Sequence, residues 1–328
     1  MFSADEGEKH SGRHKAPSII HSGELRETGD YDGHMAKSRL YTKARLHPRI
    51  TARLVRVLAT AGLCTVATIG NRKHPREGNL MRHPLDVDRL DARHRPKGQP
   101  VMHQTWGKLL FMHWRIDKNL LRPHIPASLE IDTFGGSAWI GIVPFTMWDI
   151  RALPPYVPPV PGLNAMDELN VRTYVHHNGV PGVWFFSLDT NSNAAVLGAR
   201  SVYHLPYYYA DIDLKQRGKT ITYSLSRSDD DPPADFKATW KIGDPLAQSQ
   251  PGSKEFFLTE RYMLYSEHDD QLYRARIFHD PWPLQDAEVT KWGSSMIEAS
   301  DLIQPPGEPL VHYAEELSVE IWYLERVD

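Results

Sequence analysis

The chain is nearly without cysteine: Cys64 stands alone among 328 residues. That excludes an internal disulfide framework and any Cys-based structural zinc site. It fits a reducing compartment, and a cytoplasmic location is the expectation. Charge of one sign is also lacking. A formal net charge of -3 gives no basic field to attract nucleic acid or an anionic membrane. No G-x-G-x-x-G or G-x-x-x-x-G-K-[ST] stretch occurs, so nothing supports a nucleotide cradle. There is no H-E-x-x-H and no spaced Cys/His set, and the adjacent His176 and His177 face opposite sides of a strand. No metal or cofactor is therefore expected. The absence of G-x-S-x-G weakens an esterase reading. The apolar run from Val57 to Ile69 is too short and too interrupted by Thr and Gly for a confident membrane span. No internal repeat appears.

What the chain does have is an aromatic and proline-rich globular composition. Hydrophobic residues make up 41% and charged ones 24%, which suits a buried core in one large domain or two ordinary ones. Nine Trp, fourteen Tyr and 25 Pro favour strands over helices. The first fifty residues, beginning "MFSADEGEKHSGRHKAPS", carry few large apolar groups and cannot offset their ordering entropy. Residues 1–80 are expected to be a disordered or non-native extension. Residues 50–70 leave three readings open: a true start further on, at Met81 or Met102; a loosely ordered helix; or a targeting segment. Residues 100–328 read as a single β-rich domain.

Within that domain "TWGKLLFMHWRI" is a strand, followed by a short helix that Asp117 caps and Pro123 and Pro126 stop. "SAWIGIVPFTMWDI", apolar on both faces, is a central strand. "LPPYVPPVPGLN" is either a stiff surface connection or the rim of a pocket. "ELNVRTYVHH" and "VWFFSLDT" flank an Asn-Gly turn and read as a hairpin. "NAAVLGARSVYH" suits a short helix. "KTITYSLSRS" with "DFKATWKIG", and "KEFFLTERYMLYS" with "QLYRARIFHD", read as two more hairpins, and "LVHYAEELSVEIWYLERV" closes the chain. The expected class is mainly β (α+β), a curved antiparallel sheet closed as a barrel or cone to remove its edges, with a few short helices.

The strand period of two places Glu168, Asn170, Arg172 and Tyr174 on one face and Leu169, Val171, Thr173 and Val175 on the other. In an open sheet the polar face is simply wet. In a closed barrel it lines the cavity, and a buried Glu168 and Arg172 would need each other. In the "FFLTERYMLY" stretch, Glu260 and Tyr262 point opposite to Arg261. His279, beside Asp280 and Trp282, is either a base or a structural hydrogen-bonder. Arg200 and His204 lie just ahead of Pro206 and the run Tyr207, Tyr208, Tyr209.

Five blocks in order, "ELNVRTYV", "GVPGVWFFSLD", "ARSVYHLPYYYA", "FLTERYMLY" and "IFHDPWPL", resemble the YqjF-like family of uncharacterised bacterial proteins. That family is similar to a distant branch of the acetoacetate-decarboxylase-like superfamily. The resemblance implies a curved sheet closed around a central cavity. It also exposes a departure. The decarboxylases carry a lysine pair after the corresponding Pro, and one lysine forms a Schiff base with the keto acid. Here Pro206 is followed by Tyr207 and Tyr208, and a phenol makes no imine, so Schiff-base decarboxylation is disfavoured. The resulting expectation is a cavity for a small organic acid or carbonyl compound. Arg172 or Arg200 would orient a carboxylate, and Asn170, Tyr207, Tyr208 and Arg261 would complete the wall. Glu168, with His204 or His279, would be the acid–base group of a lysine-independent lyase, hydratase or isomerase, if there is one. A structural or partner-binding barrel is the remaining alternative, and a homo-oligomer is left open.

Overall fold

The computed structural model describes residues 83–152, 164–227 and 232–327. The expected extension over residues 1–80, the segment 50–70 and most of the Pro-rich loop lie outside these residues. The helices are α1 (Asp86–Ala92), α2 (Lys118–Leu121), α3 (Asn193–Val202) and α4 (Lys254–Thr259). The first strands are β1 (Met102–Ile116), β2 (Glu130–Ile131), β3 (Ala138–Ala152), β4 (Ala165–His177), β5 (Val180–Thr190), β6 (Tyr207–Tyr209) and β7 (Asp211–Arg217). They continue as β8 (Thr220–Arg227), β9 (Ala234–Pro245), β10 (Met263–His268), β11 (Gln271–His279), β12 (Leu284–Ser294) and β13 (Leu310–Arg326).

Strands β1, β3, β4, β5, β10, β11 and β13 follow one another by hydrogen bonding, and β13 returns to pair with β1. Seven strands thus close into a barrel, antiparallel except where β5 and β10 run parallel at Val183 and Leu264. β13 is long enough to serve two layers. Its Leu310–Ile321 stretch pairs β1, its C-terminal part pairs β11, and Tyr313 and Ala314 pair β12. From β12 the sheet continues through β9 and β8 to β7, forming a second layer outside the barrel.

Alternation along the strands separates two apolar layers. Met112, Ile140, Ile142, Leu169 and Val171 join Tyr223, Phe236 and Trp240 in the layer between barrel and outer sheet. Phe111, Val143, Phe145, Leu188, Leu264 and Ile277 face the barrel interior. Local chemistry fixes the corners. At the β4–β5 turn, Asn178 (φ 50°) and Gly179 (φ 82°) both adopt the left-handed conformation that a two-residue hairpin demands. The Asp117 side chain accepts from the Asn119 N–H, capping α2.

Three local expectations change. "KEFFLTERYMLYS" is not one strand. Ser253 caps a helix at its start, its Oγ accepting from the Phe256 N–H at 3.1 Å, and β10 begins only at Met263. The cap and the burial of Phe256, Phe257 and Leu258 on this short helix outweigh the β preference of the Phe pair. β7 and β12 are strands that the sequence pattern did not mark, because their residues are largely polar and exposed. Ahead of residue 100, α1 docks on the domain through Arg89, which is buried against Asp132. No helix among the described residues is long and apolar enough to cross a membrane.

Candidate functional site: a polar cluster in the barrel cavity

The barrel encloses a cavity of about 210 Å³ with mostly apolar walls. β4 supplies Met166, Glu168, Asn170 and Arg172 to it, and their shared parity is what turns them inward. α3 covers one side. Ser192 caps this helix by accepting from the Ala195 N–H, and its small residues Ala194, Ala195, Gly198 and Ala199 face the cavity.

Glu168 is 2% exposed. The Tyr207 hydroxyl donates to its Oε2 at 2.7 Å, and the Asn170 side chain also hydrogen-bonds to it. Burial nevertheless pushes its carboxyl up to about 8, so it holds its proton at neutral pH. Burial, reinforced by Glu168, raises the Tyr207 phenol well above its ordinary range. The pair is thus a neutral acid beside a neutral phenol.

Arg172 does not pair with Glu168, as the two were expected to do if both were buried; Glu168 is buried but Arg172 is only half-buried. Glu168 escapes the cost by staying protonated and bonding to Tyr207. Arg172 makes no ion pair among the described residues, and its buried Nε has no hydrogen-bond partner. Its guanidinium carbon instead lies 5.4 Å from the centre of the Phe111 ring and 5.9 Å from that of Tyr174.

Arg261 also reaches the cavity. Its Nη1 donates to Asp132 Oδ2 at 2.7 Å and its Nε to the Phe257 carbonyl at 2.8 Å. Asp132, fully buried, takes two further bonds from Arg89, both at 2.7 Å. Burial would raise the Asp132 carboxyl, but Arg261 and Arg89 outweigh it and hold it below the usual range. Burial lowers the Arg261 guanidinium to about 10, which leaves it charged at neutral pH.

His279 lines the cavity with its ring, but its nitrogens face backbone carbonyls. Nδ1 lies 2.7 Å from Asp280 O and Nε2 3.3 Å from Arg261 O. Burial lowers its pKa, and its ring stacks on Tyr262 at 4.5 Å. Both ring nitrogens therefore face backbone carbonyls, not the open space.

Arg200, His204 and Tyr208 are not among the cavity-lining residues. β6 pairs with β5 so that Leu188 stands opposite Tyr207. Both turn inward, and the next residue, Tyr208, turns away. Its ring lies 4.1 Å from the Arg227 guanidinium carbon. Arg200 donates to the Tyr207 carbonyl at 2.5 Å. His204 stacks on His268 at 4.2 Å. Lys108, on β1, donates its Nζ to Gln216 of β7 at 2.6 Å, away from the cavity, and no lysine among the described residues lines the cavity.

The sequence reading missed Gln104 and Trp106, which share a face of β1 and turn into the cavity. It also missed the Arg89–Asp132–Arg261 cluster and His113, whose Nε2 lies 2.6 Å from the Tyr174 hydroxyl. Parity within "HQTWG" could have found the first two. No local pattern joins three residues brought together only by the fold.

With the geometry in view, the relatives can be placed. A family model described as "Uncharacterized conserved protein (COG2071)" matches residues 103–318. The chain belongs to this family, DUF2071. It is 42% identical over 231 residues to "Uncharacterized protein YqjF" of Bacillus subtilis (strain 168), covering 70% of this chain and 94% of that one. Among solved structures, "Enduracididine biosynthesis enzyme MppR complexed with pyruvate" is similar with a TM-score of 0.51 at 13% identity, over 70% of this chain and 91% of that one. An acetoacetate decarboxylase from Legionella pneumophila has a TM-score of 0.49 at 15% identity, over 77% and 98% of the two chains. At such identities the likeness is one of fold. The fold shared with MppR matches the closed, mainly antiparallel barrel described above.

Proposed function

We propose that this protein binds a small organic acid inside the barrel, with Arg172 holding the carboxylate. The observation that carries this reading is the state of Arg172: a cation in an apolar cavity, with no acidic partner among the described residues and a buried Nε left without an acceptor. An uncompensated charge of that kind is costly, and a carboxylate supplies both the counter-charge and the acceptors. The apolar walls suit a short carbon skeleton. Trp184 and Phe186, which could have filled the barrel, pack against the outer layer instead, which favours a ligand cavity over a purely structural core. The test is calorimetry at pH 7 with butanoate and hexanoate against the alcohols of equal length. The acids are expected to bind, the alcohols not, and Arg172→Met to abolish the difference. Equal binding of acid and alcohol would sink the reading.

A second reading, acid–base chemistry on a carbonyl-bearing acid, is favoured by Glu168. A carboxyl that keeps its proton at neutral pH, beside the Tyr207 phenol and facing the cavity, is suited to protonate a developing oxyanion. Lyase, hydratase and isomerase reactions need such a group and no covalent lysine. The test is deuterium exchange into 4-oxopentanoate followed by NMR. Glu168 gives its proton to the carbonyl oxygen, and solvent water takes the α-proton. The enol returns to the ketone with a deuteron from solvent while Glu168 is reprotonated. Exchange is expected with the native protein and lost in Glu168→Gln. Lys108 lies outside the cavity, so borohydride with acetoacetate is expected to trap no covalent adduct. A lysine adduct found by mass spectrometry would restore the imine route.

A further inference from the structure

The cavity holds a second unsatisfied guanidinium. Arg261 is 4% exposed and lines the cavity. Its Nη1 and Nε are engaged by Asp132 and Phe257, but its buried Nη2 has no hydrogen-bond partner. It sits close to Arg172. Both guanidinium carbons bear on the same Tyr174 ring, at 4.6 Å for Arg261 and 5.9 Å for Arg172. The Tyr174 hydroxyl cannot serve as their anion, because it is a neutral phenol that donates to the Leu258 carbonyl.

The charges around this end of the cavity do not balance. Asp132 is one carboxylate shared by two cations, Arg89 and Arg261. Arg172 has none. The acids nearby are already committed. Glu260 faces Arg93 at 3.8 Å and accepts from the Trp282 N–H at 3.1 Å, and Asp189 faces Arg227 at 2.7 Å. Glu168 is neutral at pH 7. The surrounding imidazoles add no charge to the site: burial holds His113, His176 and His279 below their usual range. Two positive charges therefore remain without a counter-charge among the described residues. A monocarboxylate neutralises one of them and leaves the other buried, which is the costly arrangement.

We infer that the ligand is a short-chain dicarboxylate, one carboxylate meeting Arg172 and the other meeting the Nη2 of Arg261. Resting on the organic-acid reading above, this names the class of acid. Asp132 then acts as a positioning residue: it fixes the Arg261 guanidinium at the cavity wall, with Nη2 left unpartnered. The apolar remainder of the wall contacts the connecting carbons, and the cavity of about 210 Å³ limits their number.

The test is calorimetry on the full chain at pH 7 with succinate and glutarate, their monomethyl esters, butanoate and pentanoate. The dicarboxylates are expected to bind about tenfold or more tightly than their monoesters, the scale of one charge-assisted contact. In Arg261→Met that ratio is expected to fall towards one. The ratio in the unmodified protein is the primary readout, so the inference stays open to refutation even if the buried variant fails to fold. Equal affinity for glutarate and its monomethyl ester overturns the dicarboxylate inference while leaving the organic-acid reading intact. Binding of none of these acids overturns both.

Discussion

The two faces of β4 do opposite jobs with the same backbone. Leu169, Val171 and Val175 turn outward into a closely packed layer against β8 and β9. Met166, Glu168, Asn170 and Arg172 turn inward to a cavity that side chains do not fill. The outer face gives stability through apolar contact. The inner face gives up some of that contact to keep ionisable groups beside an open space. Polar cost is handled differently at each inner position: Glu168 holds a proton, Arg261 offsets part of it by sharing Asp132, and Arg172 has only aromatic rings against it. The fold's stability and its chemistry are thus carried by alternate residues, and substitutions can separate them.

The sharpest break should come at Asp132. Its replacement by Ala leaves Arg89 and Arg261 buried without a counter-charge, and about 3–5 kcal/mol of stability should be lost in urea unfolding. The carboxyl is held below its usual range, so the native protein should keep this contribution at neutral pH and lose it only as the pH falls through that depressed value. A loss under about 1 kcal/mol would mean that the cluster is not holding α1 and α4 to the barrel. Leu169→Ala should cost about 3 kcal/mol through the cavity it leaves in the solid layer, with ligand affinity unchanged. A matching loss of affinity would show that the two faces are coupled.

Glu168 reverses the usual acid dependence. Its folded carboxyl titrates at about 8 against about 4.3 in an unfolded chain. Between those values the folded state binds the extra proton, so stability should fall as the pH rises from 5 to 8, by about 3–4 kcal/mol. Glu168→Gln, a neutral isostere, should be flat over that window. Thermal melts at several pH values decide it, and an equal slope in both proteins would refute the neutral-acid assignment. The smallest effect should be Tyr207→Phe, about 1 kcal/mol for one lost hydrogen bond. Because Tyr207 stabilises the charged form of Glu168, the variant should titrate above the native protein in carboxyl NMR.

The hairpins and the inward row on β4 were legible because strict alternation and an Asn-Gly turn are local signals. β7 and β12 were not, since "DIDLKQR" and "LQDAEVTKWGS" lie at the outer sheet, where half-exposed strands read as loops. The Phe-rich "KEFFLT" misled because aromatic preference outweighed a single Ser cap in the reading, whereas burial of the helix reverses that in the fold. Tyr207 and Tyr208 could not be told apart until the pairing of β6 with β5 fixed which one turned inward. The Arg89–Asp132–Arg261 cluster joins positions that share no local pattern at all.

The seam of the barrel has a consequence for timing. β1 and β13 lie at opposite ends of the barrel sequence, yet Met102 pairs with Ile321 and His113 with Leu310. During synthesis β1 emerges early and waits, its edge unpaired, while the intervening strands are made. The long-range pairing that closes the cavity carries the loop-closure entropy of the whole domain. The same strand also joins β12 and β11, so its arrival completes the barrel and anchors the outer sheet in one event. Folding should therefore be late and all-or-none. The amides of β13 should exchange with solvent only when the entire domain opens.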